Sequence, residues 1–322
     1  MFRRSLLAGT VALLSAPAMA ASYPDRPLRL IVPYPPGGIT DIGARLIAAR
    51  IQERLGQSVV VENRTGAGGI IGSTAAARSP ADGYTIFMGT SATHGSNPST
   101  FANLPYDPVR DFEPIILVAS APLAVVVNPS LPVRSIAELI AYAKANPGKL
   151  SFGSTGVGGS VHLTVELFKM LTGTDMLHVP YRGSAPALND VMAGQLQLMF
   201  DNIPSAMPLA RGGRLRALAV TSLEPTALVP ELPTVARDLP GFESASWVGL
   251  FAPKGTPVNV VHAINLAAQA GLKGQADTAA FLAAGLEAKG GAEAMLAAHV
   301  ASEVAKWAEV AQRAGIVPEV VQ

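Results

Sequence analysis

Cysteine is absent from this chain of 322 residues, which excludes disulfide bonds and thiolate metal sites. The folded protein must therefore be stabilised by its hydrophobic core. Long apolar segments are also missing, since Ser120 and Pro122 interrupt residues 115–127, one of the longest stretches. A membrane-spanning helix needs about 20 apolar residues, so we expect none after the N-terminus. We also expect no metal and no cofactor.

Charge of one sign is not in excess either. Lys and Arg total 24 against 23 Asp and Glu, and without Arg3 and Arg4 the balance is 22 − 23 = −1. A near-neutral chain with scattered basic residues has no electrostatic footprint for nucleic acid. At ~100–200 residues per domain, the length predicts two domains.

The first twenty residues have the pattern of a secretory signal peptide. Arg3 and Arg4 precede an uncharged run that ends in Ala18-Met19-Ala20, a small-x-small cleavage signature. The run is too short for a membrane anchor. We expect residues 1–20 to be removed near Ala20/Ala21 and the mature protein to be periplasmic, with Sec and twin-arginine export both open.

Short β-branched segments alternate with helical ones, which is typical of parallel α/β sheets. Helices are predicted up to Leu55, at 136–145, up to Leu171, and over 258–314. The predicted strands are 28–32, 58–61, 84–88, 112–118, 123–127, 150–153, 177–179, 196–200, 215–220 and 247–252. A strand, a glycine-rich loop and a helix occur at 28–55 and again at 150–171. We interpret the chain as two similar lobes whose loops face each other, since open α/β sheets bind ligands at this edge.

The first loop, residues 33–41, reads Pro-Tyr-Pro-Pro-Gly-Gly-Ile-Thr-Asp. Its prolines stiffen the backbone, and Gly37 and Gly38 allow a ligand to approach. Thr40 is predicted to cap the following helix, whose free N–H groups would bind an anion. Asp41 either suits the helix dipole or contacts the ligand directly.

The second loop, residues 154–160, reads Ser-Thr-Gly-Val-Gly-Gly-Ser, with Ser160 as the predicted cap and His162 in the first turn. Val161-His162 stands where a phosphate-binding loop has Lys-Ser/Thr, and the third glycine of G-x-G-x-x-G is missing, so nucleotide binding is disfavoured. Neither loop contains Lys or Arg. An anion would be held by N–H groups, hydroxyls and ordered water.

Polar residues at other strand ends extend the candidate site. For Arg182 and Asp201, interlobe or supporting ion pairs are an alternative to ligand contact. The predicted ligand-binding residues are Tyr34, Pro36, Gly37, Gly38, Thr40, Asp41, Thr90, Ser91, Ser154, Thr155, Gly156, Gly159, Ser160, His162, Tyr181, Arg182 and Asp201.

A series of motifs resembles the substrate-binding proteins of tripartite tricarboxylate transporters, the TctC-like periplasmic receptors that include the Bug group. The resemblance covers essentially the whole mature chain, in order. Its motifs are Val32-Pro-Tyr-Pro-Pro-Gly-Gly-x-Thr-Asp-x-x-Ala-Arg45, Val61-Glu-Asn-Arg-x-Gly-Ala-Gly-Gly69, Phe152-Gly-Ser-Thr-Gly-x-Gly-Gly-Ser160, Val179-Pro-Tyr-Arg-Gly183, Leu218-Ala-Val-Thr-Ser222, Glu231-Leu-Pro-Thr234 and Phe251-Ala-Pro-Lys-Gly-Thr-Pro257.

The resemblance implies a type II periplasmic binding-protein fold of the Venus flytrap kind, with two Rossmann-like lobes joined by two crossing strands. Residues 22–121 and 243–322 would form the first lobe and residues 122–242 the second. The ligand would be a small carboxylate (a dicarboxylate, an amino acid or an aromatic acid) gripped by the first βα loop of each lobe. The partners would be permease subunits of a tripartite transporter, and we expect a monomer.

Two other functions compete with this interpretation. A receptor that feeds a membrane sensor or two-component system would have the same fold, and the sequence does not separate it from a transport receptor. A secreted α/β hydrolase needs a G-x-S-x-G elbow, and Gly153-Ser154-Thr155-Gly156 lacks that spacing. We therefore expect a binding protein and not an enzyme, with lobe closure around the ligand as its mechanism.

Overall fold

The computed structural model describes residues 23–321, so the predicted signal peptide lies outside the described residues. The strands are β1 (Leu28–Val32), β2 (Val59–Asn63), β3 (Thr85–Thr90), β4 (Phe101–Ala102), β5 (Phe112–Val127), β6 (Leu150–Ser154), β7 (Met176–Pro180), β8 (Leu198–Asn202), β9 (Arg216–Val220), β10 (Ala245–Pro253), β11 (Glu287–Ala288) and β12 (Glu319–Val320). The helices are α1 (Ile39–Leu55), α2 (Ile70–Ala77), α3 (Asn97–Thr100), α4 (Ile136–Ala145), α5 (Ser160–Thr172), α6 (Ser184–Ala193), α7 (Ile203–Arg211), α8 (Val258–Ala270), α9 (Gln275–Ala283) and α10 (Glu293–Arg313).

The main sheet has the strand order β2-β1-β3-β10-β5-β8-β6-β7, and β9 and β11 also pair with β5. Strands β1, β2 and β3 are parallel to one another, as are β6, β7 and β8, whereas β10 is antiparallel to β3 and β5. We call β1, β2, β3, β10 and the beginning of β5 the first sheet. The second sheet consists of the end of β5 with β6, β7, β8 and β9. The predicted α/β architecture is confirmed.

Strand β5 joins the two sheets. Its residues up to Pro122 pair with β10, whereas Leu123–Val127 pair with β8 and β9. The separate strands predicted at 112–118 and 123–127 are therefore one strand. Pro122 lies where the pairing partner changes, a position at which a missing N–H is tolerated. The chain returns beside this point, where Ser244 N donates to Thr221 O at 2.9 Å.

Buried apolar side chains form one cluster around the second sheet and two on the first. Helix α10 contributes to both sides of the molecule. Its Leu296 and Val300 pack in a cluster of the first sheet, and its Trp307 and Val310 pack in the cluster of the second. The last helix is thus a third connection between the halves, in addition to β5 and β10.

The helix prediction was wrong in two respects. Residues 258–314 form three helices, with β11 between the last two, and Gly285 follows the end of the middle one with a φ of +75°. Helices α2, α3, α6 and α7 were not predicted at all. They are short, and α6 and α7 contain prolines, so their apolar periodicity is weak.

Candidate ligand-binding site

The two glycine-rich loops have the same backbone conformation. In each, a glycine with positive φ (Gly37 at +85°, Gly158 at +74°) precedes an extended glycine at the N-cap of the helix. The N-cap dihedrals are −77° and 165° for Gly38 and −72° and 164° for Gly159. Neither cap offers a side chain, so the first-turn N–H groups of α1 and α5 remain free for a ligand.

The predicted N-caps were therefore wrong in both loops. Helix α1 begins at Ile39, which places Thr40 inside the first turn, and α5 begins at Ser160 itself. An extended glycine occupies each cap position instead. The hydroxyls of Thr40 and Ser160 are consequently not used to cap their own helices.

A first-turn side chain holds each loop in the same way. Gly37 N donates to Asp41 Oδ2 at 3.0 Å, and Gly158 N donates to His162 Nδ1 at 3.0 Å. Asp41 and His162 each lie four residues after the positive-φ glycine. The two loops are thus held by equivalent hydrogen bonds, in addition to having the same topology. We call this hydrogen bond the brace of each loop.

Asp41 is fully occupied by this bracing. Its carboxylate also accepts from Arg45 at 2.9 and 3.0 Å and from Asn63 Nδ2 at 2.9 Å. Burial alone would raise the pKa of Asp41, but the hydrogen bonds from Arg45, Gly37 and Asn63 outweigh it and lower the pKa to about 2. The structure thus favours the supporting interpretation of Asp41 over ligand contact.

His162 is directed away from the cleft in the same manner. Its ring stacks on His178 with centroids 3.7 Å apart, and its Nε2 lies 3.7 Å from Glu166 Oε1. Burial, the ring of His178 and the ammonium of Lys169 lower the pKa of His162 to about 3. The imidazole is neutral at ordinary pH and serves as the acceptor for Gly158 N.

We expect His162→Asn to weaken the pH dependence of stability. The folded pKa of about 3 lies below the ordinary 6.5, so the stabilisation is present above pH 6.5 and decreases as the pH falls. Between pH 6.5 and 5 the loss for this group is about 2 kcal/mol. Asn keeps an acceptor for Gly158 N but does not titrate. Urea unfolding at pH 7, 6 and 5 measures the unfolding free energy of both proteins. An equal decrease of this free energy with falling pH in the variant and the wild type would contradict the prediction.

A cavity of about 150 Å³ lies where the two loops meet the first sheet. Both helix starts reach it, through Thr40 of α1 and Ser160 of α5. None of the described residues that line it carries a charge. Its lining consists of Tyr34, Ile39, Thr40, Thr90, Ser91, Ala92, Ala121, Ser160, Ser246, Trp247, Val248 and Leu286. Hydroxyls and helix N-termini therefore surround a space with an apolar floor.

A second cavity, of about 420 Å³, adjoins the first and shares Tyr34 and Ala92 with it. It lies between α3, the C-terminal tail and the second loop, which contributes Thr155 and Gly159. A Cβ on Gly158 would lie 3.1 Å from Thr100 Cγ2 of α3, so only glycine allows this approach of the second loop.

The hydroxyl of Thr90 is oriented by its neighbour. Thr93 N donates to Thr90 Oγ1 at 3.2 Å, and Thr90 N donates to Thr93 Oγ1 at 2.9 Å. Behind them His94 is fully buried against Phe251, with ring centroids 4.0 Å apart. The Thr90 hydroxyl, which also lies 3.4 Å from Thr93 Oγ1, is thereby fixed at the cavity.

Seven of the predicted residues line the two cavities. They are Tyr34, Thr40, Thr90, Ser91, Thr155, Gly159 and Ser160. Pro36, Gly37 and Gly38 lie exposed on the first loop, beside the cavities. Ser154 Oγ is within 2.6 Å of His178 Nε2 and 3.0 Å of Gly156 O, so it and Gly156 belong to the internal framework of the second loop.

The three predicted residues at the far strand ends do not line either cavity. Tyr181 donates its hydroxyl to Asp190 at 2.5 Å within the second lobe. Asp201 is completely buried, where it accepts from the hydroxyls of Ser184 and Ser205 at 2.6 and 2.5 Å, and burial raises its pKa. Arg182 is exposed. Asp201 thus connects α6 and α7 to its own strand.

The sequence reasoning missed the apolar floor. Ala121, Trp247 and Leu286 come from the crossing strands and from the segment after α9, far from both loops in sequence. A usable indication was the prediction of a strand from residue 247, because the start of a returning strand lies beside the crossing between the two sheets at Pro122, which we call the hinge.

Within residues 23–321, no helix combines the length and the apolar character that a membrane crossing requires. The sequence model of the "Tripartite tricarboxylate transporter family receptor" matches residues 43–316. The chain belongs to this family. The resemblance seen in its motifs is confirmed. The family consists of periplasmic solute-binding receptors and not of enzymes, which removes the hydrolase alternative.

Relatives of the receptor extend along almost its entire length. It is 38% identical to protein BugT of Bordetella pertussis over 304 residues, 94% of this chain and 93% of BugT. The structure of R. palustris Rpa4515 with adipate is 42% identical, with a TM-score of 0.75 and coverage of 92% and 99%. MatC of Rhodopseudomonas palustris with bound malate is 33% identical, with a TM-score of 0.70 and coverage of 89% and 99%. The two-lobed binding-protein fold is thereby confirmed.

Proposed function

We propose that this receptor binds a small carboxylate between its two lobes and delivers it to the permease subunits of a tripartite tricarboxylate-type transporter. One observation carries the proposal: the starts of α1 and α5, both without side-chain caps, reach one cavity whose described lining bears no charge. Helix N-termini attract anions through free N–H groups and the dipole. The adipate and malate bound by the related proteins fit this chemistry.

The contacts follow from the two cavities. Thr40, Thr90, Ser91 and Ser160 offer hydroxyls in the inner cavity, and Thr155 offers one in the outer cavity. The apolar floor around Trp247 suits the methylene segment of a dicarboxylate. Tyr34 borders both cavities, so a ligand longer than the inner cavity would pass beside its ring.

The lobes are proposed to comprise residues 22–121 with 243–322, and 122–242. The change of pairing partner at Pro122 supports this division. Thr40 and Ser160 line one cavity, as expected of a closed cleft. The lobes would open about β5 and β10 to admit the ligand and close on it, because only a closed cleft lets one ligand contact both loops. We further propose that residues 1–20 are cleaved, that the mature chain acts in the periplasm, and that it acts as a monomer.

Thermal and calorimetric titration with adipate and malate tests the proposal. A ligand present at 100 times its Kd should stabilise the protein by about 2.7 kcal/mol. Adipamide, which keeps the shape of adipate without its charges, serves as the control and should not stabilise. If neither these acids nor a panel of other small carboxylates binds, the proposal is wrong. Loss of uptake on deletion of the permease genes would support transport.

A further inference from the structure

The chain contains two tryptophans, and both donate their indole N–H to the same carboxylate oxygen. Trp247 Nε1 lies 3.0 Å from Glu303 Oε2, and Trp307 Nε1 lies 2.9 Å from it. The other oxygen of Glu303 pairs with Lys306. Glu303 and the two indoles are each at most 4% exposed. A buried carboxylate is costly unless donors satisfy it, and here three donors do.

The two indoles belong to different parts of the molecule. Trp247 lies on β10, where that strand leaves the hinge, and it belongs to the apolar floor of the inner ligand cavity, which is the wall of that cavity formed by the crossing strands. Trp307 lies on α10 and packs in the hydrophobic cluster of the second sheet. Its ring also contacts the turn after Ser91, since a Cβ on Gly95 would lie 3.2 Å from Trp307 Cδ1. Glu303 therefore connects the wall of the cavity with the helix that contacts both sheets.

Trp247 has cavities on two sides. Besides the inner ligand cavity, it lines a hinge cavity of about 330 Å³ that also contains Ser120, Ala245 and His299. His299 contacts the indole edge-on, with ring centroids 5.0 Å apart. The indole is 3% exposed and packs in a buried cluster of the first sheet, but it borders a cavity on each of two sides, where no neighbouring atoms restrain it. Its orientation consequently depends on the Nε1–H bond to Glu303 in addition to packing.

We propose that Glu303 is a positioning residue of the ligand site, which it does not touch: it fixes the indole of Trp247 as the cavity wall. The inference rests on the proposed function, because it assigns Trp247 to the ligand-binding cavity. Glu303 is ionised, since Lys306 and the two indole N–H groups lower its pKa although burial alone would raise it. A charged acceptor holds an indole N–H more strongly than a neutral one.

The test is a pair of substitutions at Glu303 with adipate and malate as probes. Glu303→Leu removes the acceptor, and we expect the affinity for the better-bound acid to fall about tenfold. Glu303→Gln keeps a carbonyl oxygen for the indoles and should stay within about threefold of the wild type. Glu309→Gln, on the same helix and in an exposed pair with Arg313, is the control and should bind normally. Wild-type affinity in a folded Glu303→Leu protein would overturn the proposal.

Fluorescence separates a positioning role from a general loss of packing. In a Trp307→Phe background, Trp247 is the only indole, so its emission can be followed alone. We expect Glu303→Leu to shift this emission in ligand-free protein, and Glu303→Gln to leave it nearly unchanged. This readout needs no ligand. If the wild type binds no carboxylate, the proposed function fails, while an unchanged Trp247 emission in Glu303→Leu would refute the positioning role separately.

Trp247→Phe provides the same test if Glu303→Leu does not fold. Phenylalanine keeps an aromatic ring at the wall but has no donor for Glu303. We expect a loss of affinity comparable to that of Glu303→Leu, and a smaller loss for Trp307→Phe, whose indole also donates to Glu303 but does not line the cavity. Equal affinities for Trp247→Phe and wild type would contradict the proposal.

Discussion

Gly159→Val is expected to lower the affinity for the carboxylate that the wild type binds better, adipate or malate, by about a hundredfold. Gly159 lines the outer cavity at the start of α5. A Cβ there would meet only Gly156 O at 3.6 Å and Thr155 Oγ1 at 3.9 Å, which are ordinary contacts. The backbone has negative φ, so valine is not strained. The added methyls would occupy the space that a carboxylate needs to reach the helix N–H groups.

The stability of the ligand-free protein should fall by about 1 kcal/mol, because valine is a poorer N-cap than glycine. Ala292→Val is a matched control. Ala292 is the exposed N-cap of α10, with φ and ψ of −74° and 158°, nearly the dihedrals of Gly159. Calorimetric titration compares the two variants. Unchanged affinity in Gly159→Val would refute the assignment of this loop to the ligand.

Both loops could be located from the sequence because glycine pairs follow predicted strands and precede apolar helices. The direction of the polar side chains in them could not be predicted. Asp41 and His162 stand next to the cleft in sequence, yet each turns back to accept from the glycine four residues earlier. The Gly-Gly-x-x-Asp and Gly-Gly-x-x-His spacings are the only local trace of that bond, and they fit a ligand-facing residue equally well.

The floor of the cavity illustrates a different limit. Ala121, Trp247 and Leu286 meet because β5 and β10 cross between the sheets and pair in antiparallel register. Such pairings join segments more than a hundred residues apart, and no periodicity in a single sequence specifies them. The same holds for α10. The apolar face of α10 can be predicted from the sequence. Its contact with the cores of both sheets cannot, because that contact depends on how the whole chain folds.

We expect Asp41→Ala to destabilise the protein by about 2 kcal/mol, because it removes the buried carboxylate that accepts from three donors of the first loop and its surroundings. Asp41 is 2% exposed and receives hydrogen bonds from Gly37 N, Asn63 and Arg45. Without it the positive-φ Gly37 has no brace, so ligand affinity should fall as well. Urea unfolding of ligand-free protein at pH 7 measures the first effect and adipate titration the second.

Asp107→Ala is the comparison for an exposed counterpart. Asp107 also pairs with an arginine, Arg110, at 2.8 Å, but its side chain is 34% exposed and that of Arg110 is 82% exposed. Solvent screens the ion pair, but Asp107 Oδ1 also accepts from Val109 N and Arg110 N at 2.9 and 2.8 Å, so we expect a loss of about 1 kcal/mol, smaller than that for Asp41→Ala. Equal losses for the two variants would mean that burial of Asp41 adds nothing to its brace.

The decrease of the unfolding free energy at acid pH gives an independent measure of how much the Asp41 carboxylate stabilises the protein. Its pKa of about 2 in the folded protein lies below the ordinary 3.8. The stabilisation is therefore present above about pH 4 and is lost as the pH falls toward 2. The corresponding free energy is about 2–3 kcal/mol, which agrees with the loss expected for Asp41→Ala. The variant should lack this part of the acid transition, and an identical transition in both proteins would show that the carboxylate does not hold the loop.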